Sequence, residues 1–313
     1  MLAKGPMVLG DLWGLLVRFR SYLYALGADV SKAYYCMKTS LLEKHLRRVL
    51  WRYGDKEAEW KTFGFVAVSF GDRPAAALLD ICIRMCIEMF GAIDHVAAKR
   101  MIKDHYVDDL ATGGSKEEVQ RFKGNEDENL QCDGTMTQIL TQGGLKLKAV
   151  VVSGEQDGLA LEKLGASVLG LGFSTQEDLL YVKFKANISK RRRGAPTGPD
   201  LKKEDLDQME GSNLTMRMCL GVCNSQYDPL GLASPLIIRL KVGMKLLHRA
   251  KLAWDDSLPP ELRELWMKLL AMVVEAGNLP FHRGTKPEEA DGSPEIVLFW
   301  DGSDVVFSCA VYV

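Results

Sequence analysis

The sequence predicts a mixed protein of the α/β or α+β class. Three observations carry that expectation. Short apolar strands alternate with amphipathic helices through the first part of the chain. A basic, Gly- and Pro-bearing stretch at 190–200, KRRRGAPTGPD, then breaks the pattern as a linker or flexible loop would. Beyond it the chain reads as a run of helices ending in two more strands. The 313 residues are 47% hydrophobic and 26% charged, which excludes a disordered or collagen-like chain and allows about two domains.

Residues 23–29, LYALGAD, read as an apolar strand ending in an acid, with 34–38 continuing the extended run. Ser40-Leu41-Leu42-Glu43 is a capping-box pattern opening a helix to about Trp51. Residues 61–70, KTFGFVAVSF, are rich in β-branched and aromatic side chains and predict a strand. Pro74 suits the first turn of a helix over 75–90, AAALLDICIRMCIEMF. That run is shorter than the ~20 residues a membrane span needs. Asp80, Arg84 and Glu88 recur on one of its faces, so it reads as a buried amphipathic helix.

A helix over 94–102 comes next. Residues 103–112, KDHYVDDLAT, predict two short strands around a tight acidic turn. Ser115 to Glu118 repeats the capping box, with Val119 and Phe122 facing the core. Residues 123–135 are polar and poorly patterned. Strands are expected over Lys146–Val152, Ser167–Phe173 and Leu179–Phe184. Past the break, helices are expected over 201–210, 213–225, 235–253 and 260–276, started at Ser234-Pro235 and Pro259-Pro260 and stopped at Gly277. Trp254 and Trp266 belong to helix core on this reading. The last stretch, EIVLFWDGSDVVFSCAVYV, predicts two strands joined at Gly302-Ser303 and stops in mid-pattern.

Lys and Arg number 40 against 41 Asp and Glu, so any nucleic-acid surface has to be local. The seven cysteines form no CxxC, and no histidine stands at a usable interval from the Cys82/Cys86 or Cys219/Cys223 pairs. Reduced core thiols in an intracellular, cytoplasmic protein are the expectation. The N-terminal MLAKGPMVLGDLWGLLVRFR lacks a cleavable signal pattern, because Asp11 interrupts its apolar stretch. None of the histidines shows metal spacing; His105 is expected to pack locally.

The strongest chemical signal is Tyr106-Val107-Asp108-Asp109. Two adjacent carboxylates at the tip of an apolar hairpin are costly to desolvate unless something positive compensates them. Mg²⁺ does this well, since it takes one or two carboxylates plus substrate phosphates. Asp29 ends a separate apolar strand, and neighbouring strands would let it meet Asp108 on one cation pair. Tyr34, five residues on, would then lie beside an incoming nucleotide sugar. The plainer readings are a solvated acidic turn, a strand-end carboxylate and a core tyrosine. The basic run Lys190, Arg191, Arg192 and Arg193 suits phosphate contacts, although a solvated loop is the plainer reading.

The stretches KGP…LLVRFR (4–20), ADVSKAYYCM (28–37), FG…P (70–74), YVDDLATG (106–113), QGGLKLK (142–148), VLGLGF (168–173), YDPLGLASPLIIRLK (227–241) and LAWDDSLPPELRELW (252–266) follow one another in order. In that order they resemble the pol polyprotein of BEL/Pao-type LTR retrotransposons, across nearly the whole chain. The DPLGL…P and WDD-LP-ELR blocks are specific to that branch, while YVDD marks reverse transcriptases generally.

The resemblance implies an α+β fold with four parts. These are a reverse-transcriptase palm with remnant fingers over 1–189, a basic linker over 190–200, a helical thumb and connection region over 201–290, and a truncated ribonuclease H-like start over 291–313. It implies that Asp29, Asp108 and Asp109 are the polymerase carboxylates and metal ligands, holding Mg²⁺ or Mn²⁺. Tyr34 and Val30 would contact the nucleotide, Tyr106 would support the primer end, Lys190 to Arg193 would contact nucleic acid, and Asp301 would be the first ribonuclease H carboxylate.

The expected activity is RNA-directed DNA synthesis on an RNA or DNA template-primer with deoxynucleotides, away from any membrane and alongside other element-encoded polypeptides. Three departures temper it. Most of the fingers are expected to be missing, the 71–76 segment GDRPAA matches loosely, and Lys148-Ala149 stands where a lysine-tryptophan is usual. An inactive relic that binds nucleic acid or protein is the alternative. An aspartic peptidase is disfavoured, because no Asp-Ser/Thr-Gly triplet occurs.

Overall fold

The Asp11 side chain accepts a hydrogen bond from the Trp13 N–H and starts α1 (Leu12–Ser21), which buries Leu15, Leu16 and Phe19. The structure is a computed structural model and describes residues 3–156, 158–188, 199–208, 213–286, 290, 293 and 295–312. The chain divides into two units, one taking it to Leu169 and the other taking most of it from Leu179 onward.

In the first unit α1 leads into β1 (Tyr24–Val30). Lys32, at φ 50°, turns the chain out of the strand, so Ala33–Cys36 coil into the short helix α2 where an extended run was expected. The Ser40/Glu43 capping box forms, with the Ser40 N–H donating to Glu43 Oε2 at 3.0 Å and the Glu43 N–H to Ser40 Oγ at 3.2 Å. Only a 3₁₀ turn, Glu43–Leu46, follows it. Residues Arg48–Trp51 leave instead as β2, paired antiparallel with β3 (Lys61–Gly64). Cross-strand pairing here outweighs a local cap, and the expected strand over 61–70 stops at Gly64.

The rest of this unit runs α3 (Ala75–Phe90), α4 (His95–Asp104), β4 (His105–Tyr106), β5 (Asp109–Gly114), α5 (Lys116–Lys123), α6 (Thr135–Gln142), β6 (Leu147–Val152), α7 (Leu159–Lys163) and β7 (Ser167–Val168). The Ser115 capping box of α5 is complete, and Val119 and Phe122 are buried as expected. Strands β4, β5, β1 and β6 form one sheet in that order, with antiparallel neighbours throughout. Alternation sends Leu26, Ala28 and Val30 of β1 into the apolar core with Ile83 and Ile87 of α3, Met101 of α4, Phe122 of α5 and Ile139 of α6. Ala25, Gly27 and Asp29 therefore take the other face.

The second unit contains β8 (Leu171–Ser174), β9 (Leu179–Lys183), α8 (Lys203–Gln208), α9 (Met216–Ser225), α10 (Ser234–Arg249), α11 (Pro260–Ala276), β10 (Asn278–His282), β11 (Val297–Gly302) and β12 (Phe307–Tyr312). β10 pairs antiparallel with β9, from Asn278 opposite Lys183 to His282 opposite Leu179. Leu240, Leu247, Trp266 and Leu270 are fully buried between the helices. Gly277, at φ 51°, ends α11 where the sequence places its stop. Trp254 corrects an expectation: it is exposed, edge-on to His248 at 6.3 Å with the Arg217 guanidinium over its ring. β11 and β12 pair antiparallel with every residue exposed. Among the described residues no helix is long and apolar enough to cross a membrane.

Candidate active site

Asp29 near the end of β1 stands directly opposite Asp109 at the start of β5. Residues directly opposite in an antiparallel pair share a face, so two carboxylates are brought side by side, an arrangement that like charges disfavour. Asp108 lies in the two-residue connection between β4 and β5, whose register puts Tyr106 opposite Asp109. The Val30 N–H donates to the Asp108 carbonyl at 2.9 Å and fastens that turn to the end of β1. Val107, the other turn residue, has φ 59°. A two-residue hairpin with a left-handed first position ordinarily takes glycine there. A β-branched side chain costs about 1–3 kcal/mol, which the packing of Val107 against the core offsets in part.

Burial, then the Asp108 charge, then the Asp29 charge push the Asp109 carboxyl up to about 7. Burial and the Asp108 charge push Asp29 up to about 6. Lys148 pulls both down without cancelling the rise, its Nζ standing 3.9 Å from Asp29 Oδ2. The register explains its placement. Ala28 faces Val150 and Val30 faces Leu147, so Lys148 and Ala149 both lie against Asp29, a bulge of the kind that re-aims side chains beside functional sites. The corner is therefore short of positive charge.

Hard divalent cations suit such oxygen donors, provided substrate completes the shell. Among the described residues no group of three or more His, Cys, Asp or Glu converges as a metal site. The acids alone do not make a closed cage.

Tyr34 is half-buried, edge-on to Phe70 with ring centroids 4.8 Å apart. Burial and the Asp108 charge raise its phenol, so it stands within electrostatic reach of the acids. The Val30 side chain is buried in the core, and its N–H is already given to Asp108. Tyr106 is half-buried on β4.

His105 packs locally as the sequence suggests, but sequence reasoning missed Asp104 and the side-chain contacts that hold this hairpin. Asp104 is fully buried at the end of α4. It accepts from Arg18 Nε at 2.8 Å, Tyr22 Oη at 2.6 Å and Thr112 Oγ1 at 2.7 Å, tying α4 to α1 and β5. His105, the next residue, reaches α3 by its ring. A Cβ on Gly113 would lie 2.2 Å from the Tyr24 carbonyl oxygen, so β5 closes on β1 only with glycine there. The one sequence signal for these contacts was the polar face of α3, which packing turns inward at Asp80.

Lys190, Arg191, Arg192 and Arg193 lie outside the described residues. Asp301 sits on β11 opposite Ser308, exposed, with Oδ1 accepting the Gly302 N–H at 2.8 Å.

The fold is that of a reverse transcriptase. Over its whole length the chain superposes, at a TM-score of 0.52 and 13% identity, on the foamy viral protease-reverse transcriptase solved in complex with double-stranded DNA, covering 44% of that chain. It thus spans less than half the length of that structural neighbour. Residues 215–313 match the family model described as the Pao retrotransposon-like RNaseH-like domain, a stretch that takes in α9 to α11 as well as the β11–β12 hairpin. Fold and family model together support a retroelement pol origin of BEL/Pao type. Among curated proteins no relative matches.

Proposed function

We propose that the first unit is the catalytic palm of an RNA-directed DNA polymerase, adding deoxynucleotides to a primer 3′-hydroxyl. The observation that carries this is the pairing of Asp29 with Asp109 across two strands, with Asp108 fastened to Val30 beside them. Asp29, Asp108 and Asp109 would together hold the metals. Mg²⁺ or Mn²⁺ bound there would supply activation of the attacking hydroxyl and neutralisation of the leaving pyrophosphate. The Tyr34 ring would stand against the sugar and reject a 2′-hydroxyl, and Tyr106 would support the primer end.

Template-primer and deoxynucleotides are the proposed partners. The DNA held by the foamy viral neighbour supports a nucleic-acid ligand of this class. A second reading, an inactive relic that only binds nucleic acid, is favoured by one observation: among the described residues no three acids converge as a metal site, although Asp29, Asp108 and Asp109 act on one another electrostatically. Primer extension on the purified protein with Mg²⁺ or Mn²⁺ decides between them. The polymerase reading expects extension, however slow, that Asp108→Asn abolishes while template-primer binding survives. Extension that persists in Asp108→Asn would put the chemistry elsewhere. Binding without any extension would favour the relic.

A further inference from the structure

Asp80 is a carboxylate with no exposed surface, set in the middle of the apolar helix α3. Burying a charge there is costly unless its partners repay it. Its Oδ2 accepts from Arg84 Nε at 2.7 Å, one turn along the same helix. Its Oδ1 lies 2.9 Å from Nε2 of His105, itself buried. The other ring nitrogen, Nδ1, lies 2.9 Å from the Met101 carbonyl oxygen. A carbonyl only accepts, so Nδ1 carries a hydrogen, and one proton lies between Nε2 and Oδ1 whichever partner keeps it. Both nitrogens of the ring are committed, and their directions fix its plane.

The strand that carries this ring is the weakest in the sheet. β4 has two residues, His105 opposite Leu110 and Tyr106 opposite Asp109, and lies at the sheet's edge. Two register pairs hold a strand poorly, and slipping by one residue would take Asp109 off its partner. A buried side-chain anchor supplies what the short ladder does not.

We infer that His105, gripped by Asp80 of α3, is a positioning residue that sets the Tyr106-Val107-Asp108-Asp109 turn against β1. It acts through the hairpin and touches no reacting atom. The inference rests on the polymerase reading for its purpose, though not for its geometry.

The test is amide hydrogen exchange on the intact chain, comparing wild type with Asp80→Leu, which removes both hydrogen-bonding oxygens at similar volume, and with His105→Gln and His105→Asn. A glutamine amide reaches about where Nε2 stands and keeps the Asp80 contact. An asparagine amide reaches about where Nδ1 stands and keeps only the Met101 contact. Asp80→Leu and His105→Asn are expected to speed exchange at Tyr106–Leu110 about tenfold or more, with α5 and α6 amides unchanged, while His105→Gln stays within about threefold of wild type.

Hairpin protection unchanged in Asp80→Leu overturns the inference. So does protection kept by Asn and lost by Gln, which would reduce His105 to a local tie at the end of α4. If Asp80→Leu loosens α5 and α6 too, the Gln/Asn pair decides alone. Mn²⁺ binding followed by electron paramagnetic resonance tests the site separately. Wild type that binds no Mn²⁺ removes the polymerase reading, and the exchange pattern still decides the role of His105.

Discussion

Two antiparallel hairpins in this molecule each carry acid at or near the turn, and they differ in everything else. β4–β5 lies in a four-stranded sheet with α3 to α6 packed beneath it, while β11–β12 is a bare pair with all its residues exposed. In the first, packing pushes Asp109 up to about 7 and Asp29 to about 6. In the second, Asp301 accepts the N–H of the next residue on an open strand. A strand-end aspartate becomes chemically unusual through the layers around it, and the local motif alone does not supply them.

The largest expected effect is on stability. Phe122 is fully buried in the core, so Phe122→Ala should cost ~3–5 kcal/mol in urea unfolding, whereas Trp300→Ala on the bare hairpin, 75% exposed, should stay within ~0.5 kcal/mol. A loss above ~2 kcal/mol at Trp300 would mean that this hairpin is packed in solution, and the contrast would collapse.

Glycine offers a finer comparison. Gly113→Ala drives a methyl into the Tyr24 carbonyl at 2.2 Å and should cost ~2–3 kcal/mol, while Gly302→Ala meets Phe307 at an ordinary 3.6 Å and should cost under ~1 kcal/mol. Equal costs, measured by the same unfolding, would show that β5 relaxes freely away from β1.

The acids give the third test. Both carboxyls are raised in the folded state, so their protonated forms favour folding. That stability is present in full below about pH 4 and is lost as pH rises through about 6 for Asp29 and about 7 for Asp109. Asp109→Asn, which cannot ionise, should therefore stabilise the protein at pH 8 by something on the order of 2 kcal/mol, and the gain should vanish near pH 4. A gain equal at both pH values would place its origin outside ionisation. The smallest effect belongs to Lys148→Met, expected to raise both carboxyl midpoints further, by about half a unit, because a half-exposed cation is well screened. Carboxyl ¹³C shifts followed against pH would measure it, and a fall in either midpoint would contradict the charge balance described.

Much of the first unit was legible because its signals are local. The Ser115 box, the α3 periodicity and the β-branched run of β6 each state their own structure. The helix α6 was missed although Met136, Ile139 and Leu140 follow the helical interval, because the polar stretch before it masked its start. The acids Asp29, Asp108 and Asp109 were legible as residues. Their neighbourhood was not, since Lys148 reaches Asp29 from β6 and Asp80 reaches His105 from α3, and neither contact is stated by the residues around it in the sequence. The helix expected after Ser40 failed for the opposite reason: a sound local cap was outweighed by pairing with β3, which sets Arg48 opposite Gly64 and Trp51 opposite Lys61.

The extra residue in β6 has a consequence at the level of the gene. Because Lys148 and Ala149 share the place opposite Asp29, in-frame loss of the single codon for Ala149 would restore an unbroken ladder and set the lysine squarely against the aspartate. The corner would then neutralise itself, with every acid of the motif still spelled out. The charge balance at the acids is thus decided by a residue count in a strand that contributes no acid, and a catalogue of motif letters would score the two versions alike.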